Sequence, residues 1–96
     1  MAILVETLIP NSTAEQDDAM IARLGLDADP PAGSFARFAG PHEGGWRIIS
    51  AWESQEAFDA YRRDRLEPAL RDAGRLVPDF QISPLHSVRY PGRSPR

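Results

Sequence analysis

The chain has 96 residues, 42% of them hydrophobic and 26% charged, with a formal net charge of -3. That length makes one domain around one core, and the acidic balance excludes a basic field that would attract nucleic acid. The absence of cysteine excludes disulfides, thiolate catalysis and zinc-thiolate sites. No run approaches the roughly 20 apolar residues of a membrane span. The opening MAILVETLIP has no basic region and is interrupted by Glu6, so it reads as a strand rather than a signal peptide, and a cytoplasmic protein is expected.

Residues 2–9 are rich in Ile, Val, Leu and Thr and form the first predicted strand, stopped by Pro10. Ser12-Thr13-Ala14-Glu15 has the form of a capping box, which starts a helix with Met20, Ile21 and Leu24 as its apolar stripe. Gly25 suits its end. Residues 27–33, DADPPAG, form a loop, because Pro30-Pro31 cannot sit inside a helix. A second strand is predicted over residues 34–39, with Phe35 and Phe38 on opposite faces. Residues 40–45 make a glycine-rich hairpin connection into a third strand over residues 45–52.

In that third strand Trp46, Ile48, Ser50 and Trp52 alternate with Arg47, Ile49 and Ala51. Both sets carry apolar residues, so burial on both sides is expected. Ser54 is placed to cap the next helix, which runs through Phe58, Tyr61, Leu66 and Leu70. Pro68 lacks the amide that would bond the carbonyl of Asp64, which predicts a kink or restart, and Gly74 ends the helical region. Residues 77–79 connect to a last strand over residues 80–90. Ser83-Pro84 within it predicts an edge position or a bulge, and residues 91–96 form a short flexible tail.

The order is β-α-β-β-α-β over residues 1–90. This is the split βαβ, or ferredoxin-like, α+β arrangement: a four-stranded antiparallel sheet with two helices on one face. The first three strands carry apolar side chains on both faces, while two helices cover only one. A second copy of the chain is the simplest cover for the other face, which predicts a homodimer.

The element order, the chain's size and the strand-to-helix join W-E-S-x-E-A-F within GGWRIISAWESQEAFDAYRRDRLEPAL resemble the dimeric α+β barrel superfamily. That group includes antibiotic-biosynthesis-type monooxygenases and stress-responsive barrel proteins, and the likeness is nearest to its small members. It spans residues 2–90 and implies two sheets packed into a barrel, with a cleft in each protomer between sheet and helices. The haem-degrading branch uses an asparagine, a tryptophan and a helix-borne histidine as iron ligand. This chain has Asn11 outside the first strand and no histidine on either predicted helix, so it departs from that pattern. The polyketide-oxidising branch uses no metal or flavin and surrounds a phenolic substrate with Asn, Trp, Tyr and Arg. Trp46, Trp52, Tyr61, Arg62 and Arg65 supply three of those residue types.

His86, in the apolar setting PLHSV, reads as a general base or as a hydrogen-bonded, partly buried histidine. His42 lies in a glycine-rich loop, and the two histidines have no metal-ligand spacing, so no metal is expected. Glu6, mid-strand beside Leu4 and Leu8, reads as an acid or base in the cleft, or as half of a salt bridge with Arg37 or Arg47. Trp46 and Trp52 read as walls of an aromatic-ligand pocket or as anchors of the core or dimer interface. Arg62 and Arg65 flank the apolar stripe of the central helix. They can hold a carboxylate or phenolate, or pair with neighbours on a solvated face. The two functional readings are a cofactor-independent oxygenase, cyclase or isomerase on a small aromatic or polyketide-like molecule, and a non-enzymatic dimer that binds a small molecule or serves in stress response.

Overall fold

The computed structural model describes residues 1–89. Strand β1 (Ile3–Pro10) leads to helix α1 (Ala14–Leu24), then to the hairpin of β2 (Ser34–His42) and β3 (Gly45–Trp52). Helix α2 (Gln55–Tyr61) passes through a π-helical turn, Arg62–Leu66, into α3 (Glu67–Asp72), and β4 (Phe80–Pro84) closes the sheet. The four strands lie in the order β2-β3-β1-β4, all pairs antiparallel. This is the ferredoxin-like α+β arrangement expected from the sequence. Among the described residues, no helix is long and apolar enough to cross a membrane.

Register decides which side chains meet. Ile3, Val5, Thr7 and Ile9 of β1 stand opposite Trp52, Ser50, Ile48 and Trp46 of β3. Side chains alternate across a strand, so these eight share one face. It is the helix-covered face, because Ile3, Val5, Trp52 and Phe58 form the buried core cluster. Leu4, Glu6 and Leu8 therefore point to the opposite, outer face, with Ile49 and Phe38. There Leu8 is 42% and Phe38 67% exposed, so the outer face is apolar and open in a single chain.

Several local expectations shift. The N-cap of α1 is Thr13 rather than Ser12: the Thr13 hydroxyl accepts from the Gln16 amide at 3.2 Å, while Ser12 is buried. Gly25, at φ 68°, closes α1 as expected, its amide reaching the carbonyls of Ile21 and Ala22. Strand β2 runs on to His42, so the connection shrinks to the two-residue turn Glu43-Gly44, at φ 47° and 78°. Positive φ at both central residues is the hairpin turn whose twist matches the strands.

The break near Pro68 takes the form of a π-turn rather than a simple kink. The Glu67 amide donates to the carbonyl of Arg62, five residues back. That register shift brings Pro68 into the first turn of α3, where a missing amide costs nothing. The last strand ends at Pro84 instead of running to residue 90. The Leu85 amide still donates to the Ala2 carbonyl at 2.8 Å, and pairing stops there. Residue 90 and the tail 91–96 lie outside the described residues.

Both open edges of the sheet carry a proline. His42 faces Gly45 across the tight turn, so the alternating ladder turns the nitrogen of Pro41 away from β3. The same alternation, read from the Leu85 bond, turns the nitrogen of Pro84 away from β1.

Candidate functional site

Between the helix-covered face of the sheet and the helices lies a cavity of about 360 Å³. Val5, Thr7, Ile48, Ser50 and Trp52 form its floor, Met20, Ile21 and Leu24 of α1 its roof, and Phe58, Tyr61, Leu66 and Leu70 its wall. The stripe of α1 is therefore half-buried rather than packed: it borders a space instead of filling a core. The π-turn contributes Leu66 to the wall, and Pro30-Pro31 line the rim from the loop after α1.

The aromatic wall is continuous. Trp52 packs on Tyr61 with ring centroids 5.2 Å apart and meets Phe58 edge-on at 5.4 Å. The indole Nε1–H of Trp52 donates to Ser50 Oγ at 2.9 Å, which satisfies a buried donor and fixes the ring's tilt. Burial raises the pKa of the Tyr61 phenol, against the opposing pull of the Arg37 and Arg65 charges.

Near Tyr61 in the same lining stands a part-buried ion pair. Arg37 of β2 donates through Nη1 and Nη2 to the two carboxylate oxygens of Asp17 on α1, at 3.2 and 2.6 Å. Asp17 is 8% exposed, and both residues line the cavity. Sequence reasoning passed over Asp17, although a signal was present. Asp17, Met20, Ile21 and Leu24 follow helical spacing i, i+3, i+4, i+7, so a carboxylate stands inside the apolar stripe. Such a group has to find a partner.

The predicted site residues divide. Trp52 and Tyr61 line the cavity. Trp46 shares their sheet face but is not part of the lining, and its Nε1 is buried with no hydrogen-bond partner. Glu6 is on the outer face, away from the cleft, and Arg37 is bound to Asp17, so the suggested Glu6–Arg37 bridge does not form. His86 lies past the end of β4, exposed, and is not a strand residue. Glu6 and His86 therefore do not meet in the cavity. Arg65 donates through Nη2 to the carbonyls of Leu24 and Asp29 at 2.8 and 2.9 Å, tying the proline loop to the central helix. Arg62 pairs with Glu67 and lies 4.7 Å above the Phe80 ring. Both guanidinium groups are thus engaged in structure rather than presented at the rim. Among the described residues, no three His, Asp or Glu side chains gather in a way that could hold a metal ion.

No protein-family model matches the sequence, and no curated protein sequence matches it. Solved structures do. A candidate antibiotic biosynthesis monooxygenase from Chloroflexus aurantiacus superposes with a TM-score of 0.64 at 16% identity, over 96% of this chain and 100% of that one. The fold is that of the antibiotic-biosynthesis-monooxygenase-like proteins. SnoaB, a cofactor-independent oxygenase from Streptomyces nogalater, gives 0.63 at 10% identity over 91% and 94% of the two chains. NE2512 from Nitrosomonas europaea, a protein of unknown function, gives 0.64 at 19% identity over 96% and 94%. At these identities the likeness is one of fold.

Proposed function

We propose that this chain binds a small aromatic or polyketide-like molecule in the cavity between sheet and helices and oxygenates it without a bound cofactor. The observation that carries the reading is the cavity itself: about 360 Å³, walled by the aromatic rings of Trp52, Phe58 and Tyr61, with a part-buried charged pair in the same lining. A mostly apolar space with a few convergent polar groups is the usual form of a small-molecule site. SnoaB, of the same fold, supports the choice of chemistry by analogy. The reaction balances without an outside reductant when the substrate carries a ring methylene. Methylene and dioxygen give a ring ketone and water: one oxygen atom becomes the carbonyl, and the other leaves as water with both methylene hydrogens. All electrons come from the substrate.

A homodimer completes the proposal. The outer face, with Leu4, Leu8, Phe38 and Ile49, is the surface a second copy would cover. The position of Glu6 and His86 outside the cavity favours a second reading, in which the dimer binds the ring without turning it over.

Oxygen consumption with an anthrone, whose ring methylene lies between two aromatic rings, separates the two. The expected result is uptake of dioxygen with no added metal or flavin, abolished by filling the cavity with Ser50→Phe. Saturable binding with no oxygen uptake would leave only the second reading, and no binding would end both.

A further inference from the structure

We infer that the Asp17–Arg37 pair selects a neutral ring ligand with two adjacent oxygen substituents, at least one of them a hydroxyl, and disfavours ring carboxylates. The inference rests on the ring-binding reading above and names the ligand class. The pair presents a donor array and an acceptor array side by side, one hydrogen-bond length apart. A guanidinium has five N–H groups, and the bidentate contact uses two. The carboxylate has about four acceptor positions and also uses two. Neither side chain makes another hydrogen bond among the described residues. A ligand hydroxyl can donate to Asp17 while its neighbouring oxygen accepts from Arg37, and both bonds are charge-assisted.

Charge excludes the acid. The lining carries two acidic residues, Asp17 and Asp27, and two arginines, Arg37 and Arg75, a formal sum of zero. A ring carboxylate on Arg37 would bring a second negative charge within a few ångströms of Asp17 where little water can screen it. Neither Arg62, paired with Glu67, nor Arg65, held at the carbonyls of Leu24 and Asp29, belongs to the lining, so neither is placed to bond a ligand acid there. Arg75, also in the lining, makes only long contacts to Ser12 and Gln16 at 3.4 Å. It is the competing anchor that the test must separate.

The test is calorimetric titration with 2,3-dihydroxynaphthalene, 2,3-dimethoxynaphthalene and 2-naphthoate at about pH 6.5, where the phenols are protonated and the acid is ionised. The diol is expected to bind about tenfold or more tightly than either of the others, the scale of one hydrogen bond to a charged group. Asp17→Asn should weaken the diol about tenfold and strengthen 2-naphthoate, because Arg37 loses its counter-charge. The double variant Asp17→Asn/Arg37→Gln removes both charges and the guanidinium fork. It should bind the diol and the dimethoxy compound alike, and it reads the same pair should the single variant fail to fold. Equal binding of diol and dimethoxy compound to the unmodified protein overturns the inference and leaves the ring-binding reading standing. So does tightest binding of 2-naphthoate, whether or not Arg75→Gln then abolishes it. Failure of all three to bind overturns both.

Discussion

Replacing Arg65 by Met tests whether the proline loop is held over the cavity by one guanidinium. Methionine keeps the apolar stem and removes the charged head. Two bonds are lost, to the carbonyls of Leu24 and Asp29 at 2.8 and 2.9 Å, with a longer contact to the Asp29 carboxylate at 3.8 Å. Leu24 is the last residue of α1, so its carbonyl is one of the helix-end acceptors with no partner in the helix. A hydrogen bond to a charged group contributes about 1.5–3 kcal/mol. The Leu24 carbonyl, half-buried, should forfeit most of that. The Asp29 carbonyl belongs to an exposed residue and regains water, so it adds less, and the exposed Asp29 carboxylate adds at most a few tenths. The sum is about 2 kcal/mol, or a fall in Tm of about 10 °C for a domain of this size. Urea unfolding should show a lower midpoint at unchanged slope. Hydrogen exchange should quicken at the Asp29 amide, which donates to the Gly25 carbonyl within the same loop. Arg65→Lys should recover only part of the loss, since a single ammonium cannot reproduce the planar fork. A Met variant within about 0.5 kcal/mol of the parent by the linear extrapolation, with unchanged loop exchange, would refute the tie.

Three further outcomes are expected. Burial raises the pKa of Tyr61 above the ordinary phenol value of 10.0, so the neutral phenol is favoured by folding. Its contribution is complete below that value and lost as pH rises through the folded pKa. Urea midpoints should therefore fall more steeply above about pH 10 in the parent than in Tyr61→Phe, and parallel curves would contradict this. Phe38→Glu, at a side chain 67% exposed on the outer face, should shift a dimer to monomer in sedimentation with little change in the monomer's circular dichroism. A parent that is already monomeric at micromolar concentration would remove the dimer proposal. Gly33 has φ 85°, and a Cβ there would stand 2.7 Å from Ala57 Cβ. Gly33→Ala should cost more than about 1 kcal/mol and loosen the join of the proline loop to α2, read as a lowered Tm.

The fold was legible because its punctuation is local. Pro10, Gly25, the Pro30-Pro31 pair and Gly44 each restrict the backbone by their own chemistry, and alternation in β3 separates Trp52 from Arg47 without outside information. Alternation does not say which parity faces the helices. Glu6 shares its parity with Leu4 and Leu8, and that set faces outward because Ile3, Val5 and Trp52 pack with Phe58 of α2. Ser12 and Thr13 offer the same hydroxyl to a helix start. Ser12 is withdrawn by its burial at the cavity, where Arg75 reaches it. Nothing in RRDRL marks a π-turn, and Pro68 signals only that the α-helical ladder must break nearby. The partnership of Asp17 with Arg37 spans 20 residues and requires α1 to lie across β2, which is tertiary information. Its trace in the sequence was one acid in the wrong stripe.

The two edge prolines bear on how copies of this chain can meet. A sheet recruits a passing strand through a regular row of amide donors along its border, and Pro41 and Pro84 each leave a gap in that row. A strand laid against either border would lose a rung of its ladder near one end of the contact, at Pro41 of β2 or Pro84 of β4. Growth of the sheet sideways into fibres is thereby discouraged at both ends, without any charge being placed there. What remains open to self-association is broadside contact through Phe38 and Leu8, which ends after one pairing instead of propagating.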